Sequence, residues 1–299
     1  MIRYALISLL FLFPAVDAKP QAYLGFSAES EFITHLLNTG EYKNAIYLLK
    51  KMESKDMSPA QKDSLNYFMG WAYYNRVMVD SSALYLSKVS SASGFYYKST
   101  YYYAIELAYM KRYDESIDLL KKNGLADTNI TSAQYANVTF RQLKDFELAG
   151  FYLLTKSYSK FDSVSRAFDQ SYYAFANEQK DLKGYAFKMK NYKRKSPFLA
   201  ATLSTLVPGL GKFYAGKKGQ SLATFSFCAV LGAATAENYI RGGARSPGFI
   251  IFGTFFSMFY LGNIWGSAVS VKIARDSFYK TKENEILVSL HIPLRRIFN

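Results

Sequence analysis

The chain divides by its hydrophobic pattern into a periodically apolar region and a densely apolar C-terminal third. From about residue 29 to residue 187, apolar and small residues recur at three- and four-residue spacing, which is typical of amphipathic helices. The clearest segment is "YYYAIELAYMKRYDESIDLLKKNG", from Tyr101, where apolar and small residues mark one face of two successive helices. An earlier segment, "FITHLLNTGEYKNAIYLLKKM", follows the same pattern from Phe32. The pattern therefore predicts helices arranged in pairs.

Two further segments, beginning at Leu65 and Phe151, keep this spacing less strictly. The apolar anchors recur at roughly the 34-residue period of tetratricopeptide repeats, apart from an insertion at 122–135. Small residues such as Gly70 and Ala104 would let paired helices approach closely. Over about half its length the chain resembles the tetratricopeptide-repeat family, which implies an all-α solenoid of about four repeats over 19–187. The alternative is a helical bundle without repeats.

Tetratricopeptide-like repeats stack side by side and leave a concave surface lined by the first helix of each pair. Aromatic side chains on such a surface are good anchors for a bound peptide or helix. The alternative is that the same side chains form the core between repeats. The repeat register places the following residues in this predicted partner-binding groove: Tyr67, Trp71, Tyr74, Tyr101, Ile105 and Tyr109.

The C-terminal third, from 197 to 271, has the composition of a membrane hairpin. Two apolar segments, at about 219–236 and 246–271, are long enough to cross a bilayer as helices and are joined by a short polar loop. The preceding segment, 197–216, is apolar but interrupted by Pro208, which predicts an interfacial or re-entrant piece. The tail at 272–299 contains an alternating stretch, 285–294, that predicts a short strand.

Small residues at four-residue spacing indicate where the two spans would pack, because lipid provides no hydrophobic drive between helices. Asn263 lies inside the second span and is costly in hydrocarbon unless it pairs across the hairpin or faces a cavity. The predicted packing residues are Ala229 and Ala233 in the first span, and Gly262, Asn263, Gly266 and Ser270 in the second.

The stretch "VPGLGKFYAGKKG", from Val207, allows two interpretations. Its G-x-x-x-x-G-K pattern is that of a phosphate-binding loop, but such a loop needs Ser or Thr after the lysine and a parallel strand before the glycines. Lys218 stands in place of the Ser or Thr, and no alternation of strands and helices surrounds the stretch. A turn at a membrane surface is therefore the preferred interpretation, and no nucleotide is expected.

The same stretch resembles small bacterial membrane hairpins with the signature P-G-x-G-x-x-Y-x-G. A second signature of those proteins, Y-x-x-N-I-[YW]-G-[SA], matches "YLGNIWGS" from Tyr260. The resemblance covers about the last hundred residues and implies architecture more than activity. The membrane turn motif consists of Pro208, Gly209, Gly211, Tyr214 and Gly216.

Charge and composition limit the classes of molecule that the chain is expected to bind. The net charge is +14, and five basic residues without an acid cluster at 188–195, within a predicted juxtamembrane linker at 188–196. That position favours lipid headgroups over nucleic acid. Cys228 is the only cysteine and the two histidines are far apart, so neither a metal site nor a cofactor is expected. Residues 1–18 have the pattern of an export signal peptide.

These features predict a non-catalytic scaffold of the bacterial cell envelope. The repeats would lie in the periplasm, tethered to the inner membrane, and would bind a protein partner. The alternative is a membrane-embedded conduit or catalyst that uses Asn263, Glu237 and Arg241. Orientation is ambiguous, because the basic flanks of the hairpin would prefer the cytoplasm. A three-span arrangement would place only the tail there.

Overall fold

The computed structural model describes residues 26–122, 140–169, 171 and 174–298. Throughout these ranges the regular structure is helical, without a strand, so the prediction of an all-α protein is confirmed. The predicted signal peptide, 1–18, and most of the predicted insertion, 122–135, lie outside the described residues. The chain forms two compact units, Met1–Ser99 and Thr100–Asn299.

The described helices are named here in chain order. In the first unit they are α1 (Phe26–Asn38), α2 (Tyr42–Glu53), α3 (Pro59–Asn75), α4 (Val79–Leu86) and the start of α5 (Tyr96–Tyr109). In the second they are the rest of α5, α6 (Tyr113–Lys122), α7 (Phe140–Leu154), α8 (Tyr158–Ser165), α9 (Ala176–Lys190), α10 (Pro197–Leu206), α11 (Leu210–Tyr214), α12 (Lys218–Gly242) and α13 (Pro247–Phe298).

Four helix pairs, α1–α2, α3–α4, α5–α6 and α7–α8, share one kind of turn. In each turn a residue has a left-handed backbone, and the next N–H donates to the carbonyl five residues earlier. This is the Schellman arrangement that ends a helix and reverses the chain. The left-handed residues are Gly40, Val77, Lys111 and Lys156. The helix pairs of the sequence pattern are thus present, and their arrangement as a solenoid stays a prediction.

A serine side chain also links the two helices of a pair. Ser82 Oγ donates to the carbonyl of Gly70 at 3.1 Å, and Ser116 Oγ donates to the carbonyl of Ala104 at 2.9 Å. In both cases the acceptor belongs to a small residue, which lets the second helix come close to the first. The close approach places Leu86 against the Gly70 backbone. The small residues singled out in the sequence therefore lie at helix contacts.

The core of the first unit is apolar and continuous from α1 to α3. Helix α3 begins at a capping box, in which Ser58 and Gln61 exchange hydrogen bonds, with Pro59 at the first helical position. Each helix turns an apolar face inward, and the buried carboxylate of Asp63 on α3 accepts hydrogen bonds from the N–H and the hydroxyl of Ser90. The most deeply buried members of this core are Ile33, Leu49, Met69, Ala45 and Ala72.

The C-terminal tail is helical, so the predicted strand at 285–294 is wrong. These residues lie inside α13, which runs for 52 residues, about 78 Å at 1.5 Å per residue. Leu290 packs on Gly150 of α7, and the ring of Phe298 lies 5.8 Å from that of Tyr101. The short alternating stretch was misleading, because the buried residues of the whole tail recur at helical spacing. They are Ile286, Leu287, Leu290, Leu294 and Ile297.

Polar contacts also join α13 to the helix pairs of the second unit. The hydroxyl of Tyr113 donates to Glu283 at 2.6 Å, and Arg296 pairs with the buried Glu178 at 2.9 Å. The predicted linker at 188–196 begins inside α9, and its Tyr192 stacks on Phe278 of α13 at 4.2 Å between ring centroids. Within this unit the linker is therefore packed against the long helix.

Candidate functional site

Helices α12 and α13 are long and apolar enough to cross a membrane. They contain the two predicted spans, 219–236 and 246–271. Only 6% of the most apolar window of each helix is buried, whereas the core helix of a water-soluble protein is mostly buried. Large apolar side chains such as Val230 and Ile250 face outward. The two helices are thus compatible with a membrane location.

The segment before α12 forms a bent helical insert against α13. Helix α10 runs antiparallel to α13: Ser204 Oγ donates to Ser267 Oγ at 2.7 Å, and Tyr260 donates to the carbonyl of Thr205 at 2.8 Å. The chain then turns back through α11, so that the hydroxyl of Tyr214 accepts a hydrogen bond from the Ser196 N–H at 3.2 Å. This course has the shape of the predicted re-entrant piece, 197–216.

The glycines of the turn motif each meet a steric demand. Gly209 has φ +87°, and a Cβ there would overlap the carbonyl oxygen of Ser221. At Gly211 a Cβ would overlap the carbonyl oxygen of Ala200. Gly216 has φ +90° and reverses the chain between α11 and α12. Pro208 follows α10, where a proline stops helix continuation.

The connection from α11 to α12 has the same construction as the turns of the helix pairs. The Lys217 N–H donates to the carbonyl of Lys212 at 2.9 Å, and Ser221 Oγ donates to the carbonyl of Gly209 at 2.8 Å. The N–H groups of 215–217 therefore bond within the turn. In a phosphate-binding loop such groups would face the anion. The stretch thus contains the short helix α11 and the turn that joins it to α12.

Polar side chains fill the interior where α10, α11 and α13 meet. Asn263 is 3% exposed, and its Oδ1 accepts from the Gly209 N–H at 3.2 Å. The Gly211 N–H donates to Ser204 Oγ at 3.0 Å, and Ser204 is bonded in turn to Ser267. Among the described residues, the Nδ2 group of Asn263 has no hydrogen-bond partner. Side-chain oxygens thus take up the backbone N–H groups that the tight turn leaves free.

The predicted packing residues of the hairpin are only partly where they were expected. Ala229 and Ala233 are exposed; Gly232, where an added Cβ would lie 3.2 Å from the ring of Phe256, and the buried Cys228 face α13 instead. Small residues occupy more than one face of α12, so their four-residue spacing could not select the right one. In α13, Asn263 and Ser270 are buried, Gly266 is half-buried beside Lys212, and Gly262 is exposed.

Most of the predicted groove residues are buried, which corrects the expectation of an exposed aromatic surface. In the first unit Tyr67 stacks on Phe95 at 4.4 Å and Tyr74 is buried, while Trp71 is half-buried. In the second unit Tyr101 and Ile105 are fully buried, and Tyr109 is 40% exposed. Aromatic rings at helical spacing suit a core as well as a groove, so the pattern alone did not distinguish them.

The three polar residues of the alternative conduit hypothesis do not form one site. Glu237 and Arg241 pair with each other at 2.6 Å in the exposed last turns of α12. The neighbouring Asn238 contacts Gly248, which precedes Asn263 on α13 by about 22 Å at 1.5 Å per residue. Within the described residues no group of three or more His, Cys, Asp or Glu side chains could hold a metal ion.

The residues of the two membrane-hairpin signatures have clear structural roles, which the geometry explains without reference to any relative. Pro208, Gly209, Gly211, Tyr214 and Gly216 shape the turn, and Asn263 and Ser267 bond to it. The resemblances themselves stay predictions. A scan against protein-family models, a search of the curated proteins and a search of the solved structures each found no match.

Proposed function

We propose that this protein is a non-catalytic scaffold of the bacterial cell envelope, tethered to the membrane by its C-terminal hairpin and binding a protein partner through its helix pairs. The observation that carries the proposal is the continuity of α13, which extends from the exposed apolar segment into the core formed with α7 and α9. Such a helix joins an anchor to a helical domain without a flexible linker. The tether would thus hold the second unit at a defined distance from the bilayer.

The hairpin's surface supports the bilayer part of the proposal. Its interior is small and polar, and its outside carries large apolar side chains such as Phe255, Leu261 and Trp265. In water this would leave a large exposed apolar patch, which soluble monomers rarely have. In lipid the large apolar side chains contact acyl chains, and the small and polar residues pack between the helices.

The path of α13 favours two spans over three. Residues 286–298 pack against helices of the second unit, so the tail and that unit lie on the same side of any membrane that the hairpin crosses. Together with the predicted export signal, this supports a periplasmic location for both. The loop at 243–246, which contains Arg245, would then face the cytoplasm, and the more numerous basic residues at 188–195 and 272–282 would lie on the periplasmic side, so this orientation rests on the export signal and not on the positive-inside rule.

Cysteine labelling tests this topology, after Cys228 has been replaced by serine. Single cysteines at Lys160, Val288 and Ala244, all exposed positions, would report on the helix pairs, the tail and the loop. A membrane-impermeant maleimide should label the first two in intact spheroplasts and the third only after lysis. Labelling at 160 but not at 288 would contradict the two-span arrangement, and labelling only at 244 would reverse the orientation. Release of the intact chain by alkaline carbonate would refute the anchor.

Photo-cross-linking tests the scaffold part of the proposal. A benzoylphenylalanine at Tyr109, which is 40% exposed, should capture a discrete protein in cells. The matched control is the same substitution at Tyr101, which is fully buried on the same helix and should capture nothing. Equal products at both positions, or none at either, would count against partner binding at this face of α5.

A further inference from the structure

A cavity of about 650 Å³ lies between α12 and α13, at the level of Asn263. This volume is within the usual range for small-ligand sites, roughly 300–1,000 Å³. Its lining is polar at one end, with Lys212, Thr224 and Asn263. Elsewhere it is apolar, with Phe227, Met258 and Phe259. No acidic residue is among the described residues that line it.

The polar end of this cavity offers donors rather than acceptors. Lys212 Nζ donates one hydrogen to Thr224 Oγ1 at 2.8 Å, and an ammonium group has three to give. The Thr224 hydroxyl donates to the carbonyl of Gln220 at 2.7 Å. Asn263 Oδ1 accepts a hydrogen bond from the Gly209 N–H, and its Nδ2 is a buried donor without a partner in the described part of the chain. The cavity is therefore suited to an anion.

The position of Lys212 also favours a negatively charged group bound next to its ammonium. Its side chain lies beside Gly266, about 9 Å along α13 from Lys272 at 1.5 Å per residue, and so deeper in the hairpin than the basic residues at its base. An ammonium at such depth in a membrane is costly unless it is paired. Among the described residues Lys212 has no carboxylate partner.

We propose that this cavity binds one acidic phospholipid, with the lipid phosphate on Lys212 and Asn263 and the upper part of an acyl chain along Phe227, Met258 and Phe259. This inference rests on the proposed membrane location. The apolar lining supplies contact for a chain, and the single cation selects an anionic over a zwitterionic headgroup. Bound there, the lipid would fill the seam between the two spans and neutralise Lys212.

The test uses the purified full-length protein in detergent, titrated with phosphatidylglycerol or phosphatidylcholine and followed by native mass spectrometry. The wild type should bind one phosphatidylglycerol at least tenfold more tightly than phosphatidylcholine, and Lys212→Gln should abolish this preference. The matched control is Lys218→Gln, which removes an exposed cation from the start of α12, outside the cavity lining, and should change affinity less than twofold. Equal affinity of the wild type for both lipids, or equal loss in the two variants, would overturn the proposal.

Two further variants separate a lost site from a damaged fold. Lys212→Arg keeps the cation and should retain the preference for phosphatidylglycerol. Gly262 lines the cavity, and a Cβ placed there meets no described atom within 4 Å, so the side chain of Gly262→Leu has room to enter and should obstruct the cavity without a clash. Unchanged lipid binding by Gly262→Leu would overturn the proposal. Alkaline carbonate extraction of the same proteins tests the membrane anchor separately from the lipid site. Release of the wild type would refute the anchor. Retention of a wild type that shows no lipid preference would refute the lipid site alone.

Discussion

The helix pairs and the apolar hairpin place their side chains in opposite ways. In α1–α3 the interior is made of apolar residues such as Ile33, Leu49 and Met69. In the hairpin the interior contains Ser204, Asn263 and Ser267, while the large apolar residues lie outside. Both regions are helical and use the same kind of turn. The two regions therefore differ in the solvent that suits their exposed side chains and not in their secondary structure.

Each arrangement has a physical reason. In water, burial of apolar surface is the main favourable contribution to folding, at about 25 cal/mol per Å². In lipid that drive is absent between helices, and close packing of small residues and hydrogen bonds replace it. The long helix α13 changes from one regime to the other along its length: Phe259 is exposed, whereas Leu290 is fully buried. The comparison leads to four predictions.

The largest effect is expected where α13 belongs to the apolar core. Leu290→Ala should destabilise the protein by about 2–5 kcal/mol, because Leu290 is fully buried against Gly150. Val288→Ala, at an exposed position on the same helix, should change stability by less than about 0.5 kcal/mol. Thermal unfolding in mild detergent, followed by circular dichroism, measures both. Combining Leu290→Ala with Gly150→Ala should cost less than the sum of the two single changes, since the smaller side chain makes room for the new Cβ.

In the hairpin, close packing of helix backbones replaces burial of apolar side chains as a source of stability. Gly211→Ala should destabilise the protein by about 3 kcal/mol, because the added Cβ overlaps the backbone of Ala200 and lies 2.6 Å from Ser204 Oγ. Gly219→Ala is the matched control, since a Cβ there meets nothing within 4 Å, and it should be neutral or stabilise by up to about 1 kcal/mol. Melting temperatures of the two variants provide the comparison. Equal temperatures would show that α10 and α11 are not packed as described.

The polar interior of the hairpin should contribute a smaller amount. Ser204→Ala leaves the buried Gly211 N–H without its acceptor and should cost about 1–2 kcal/mol. The control is Thr202→Ala on the same helix, whose exposed hydroxyl only bonds back to the carbonyl of Phe198. That change should be within about 0.5 kcal/mol of the wild type. An unaffected Ser204→Ala variant would mean that the polar interior does not stabilise the hairpin.

Replacement of the buried carboxyl group of Glu147, on α7, should have the smallest effect. It should stabilise the protein, whereas the other three changes destabilise it. Burial raises the pKa of Glu147 well above its ordinary value of 4.5, and neither carboxyl oxygen has a hydrogen-bond partner within the described ranges. Because the folded-state pKa is raised, the contribution of Glu147 to stability is most favourable below pH 4.5 and is lost as the pH rises towards the folded-state pKa. Glu147→Gln should therefore raise stability by about 1 kcal/mol at pH 8 and not at pH 4. A gain of equal size at both values, or one shared by the surface variant Glu31→Gln, would contradict this.

Several features of the fold could be predicted from local patterns. The helix pairs follow from apolar spacing, and the two long apolar helices follow from composition. The turn around Gly209 and Gly216 was also predictable, because only glycine suits such close contact and such backbone angles. The face of α12 was not predictable, since the alternatives Ala229 and Cys228 are both small and differ by one residue of rotation. The predicted strand at 285–294 was wrong because so short a stretch did not distinguish two-residue from helical spacing.

The amino-acid pattern was sufficient to predict the helical class, the turns and the change from an apolar interior to an apolar exterior. These depend on local backbone preference and on the solvent that each segment suits. Three features became visible only in the folded chain: the tail packs into the second unit, Tyr101 and Ile105 are core residues, and Asn263 bonds to the Gly209 turn. Those outcomes depend on contacts between residues far apart in the chain, to which no local spacing is sensitive.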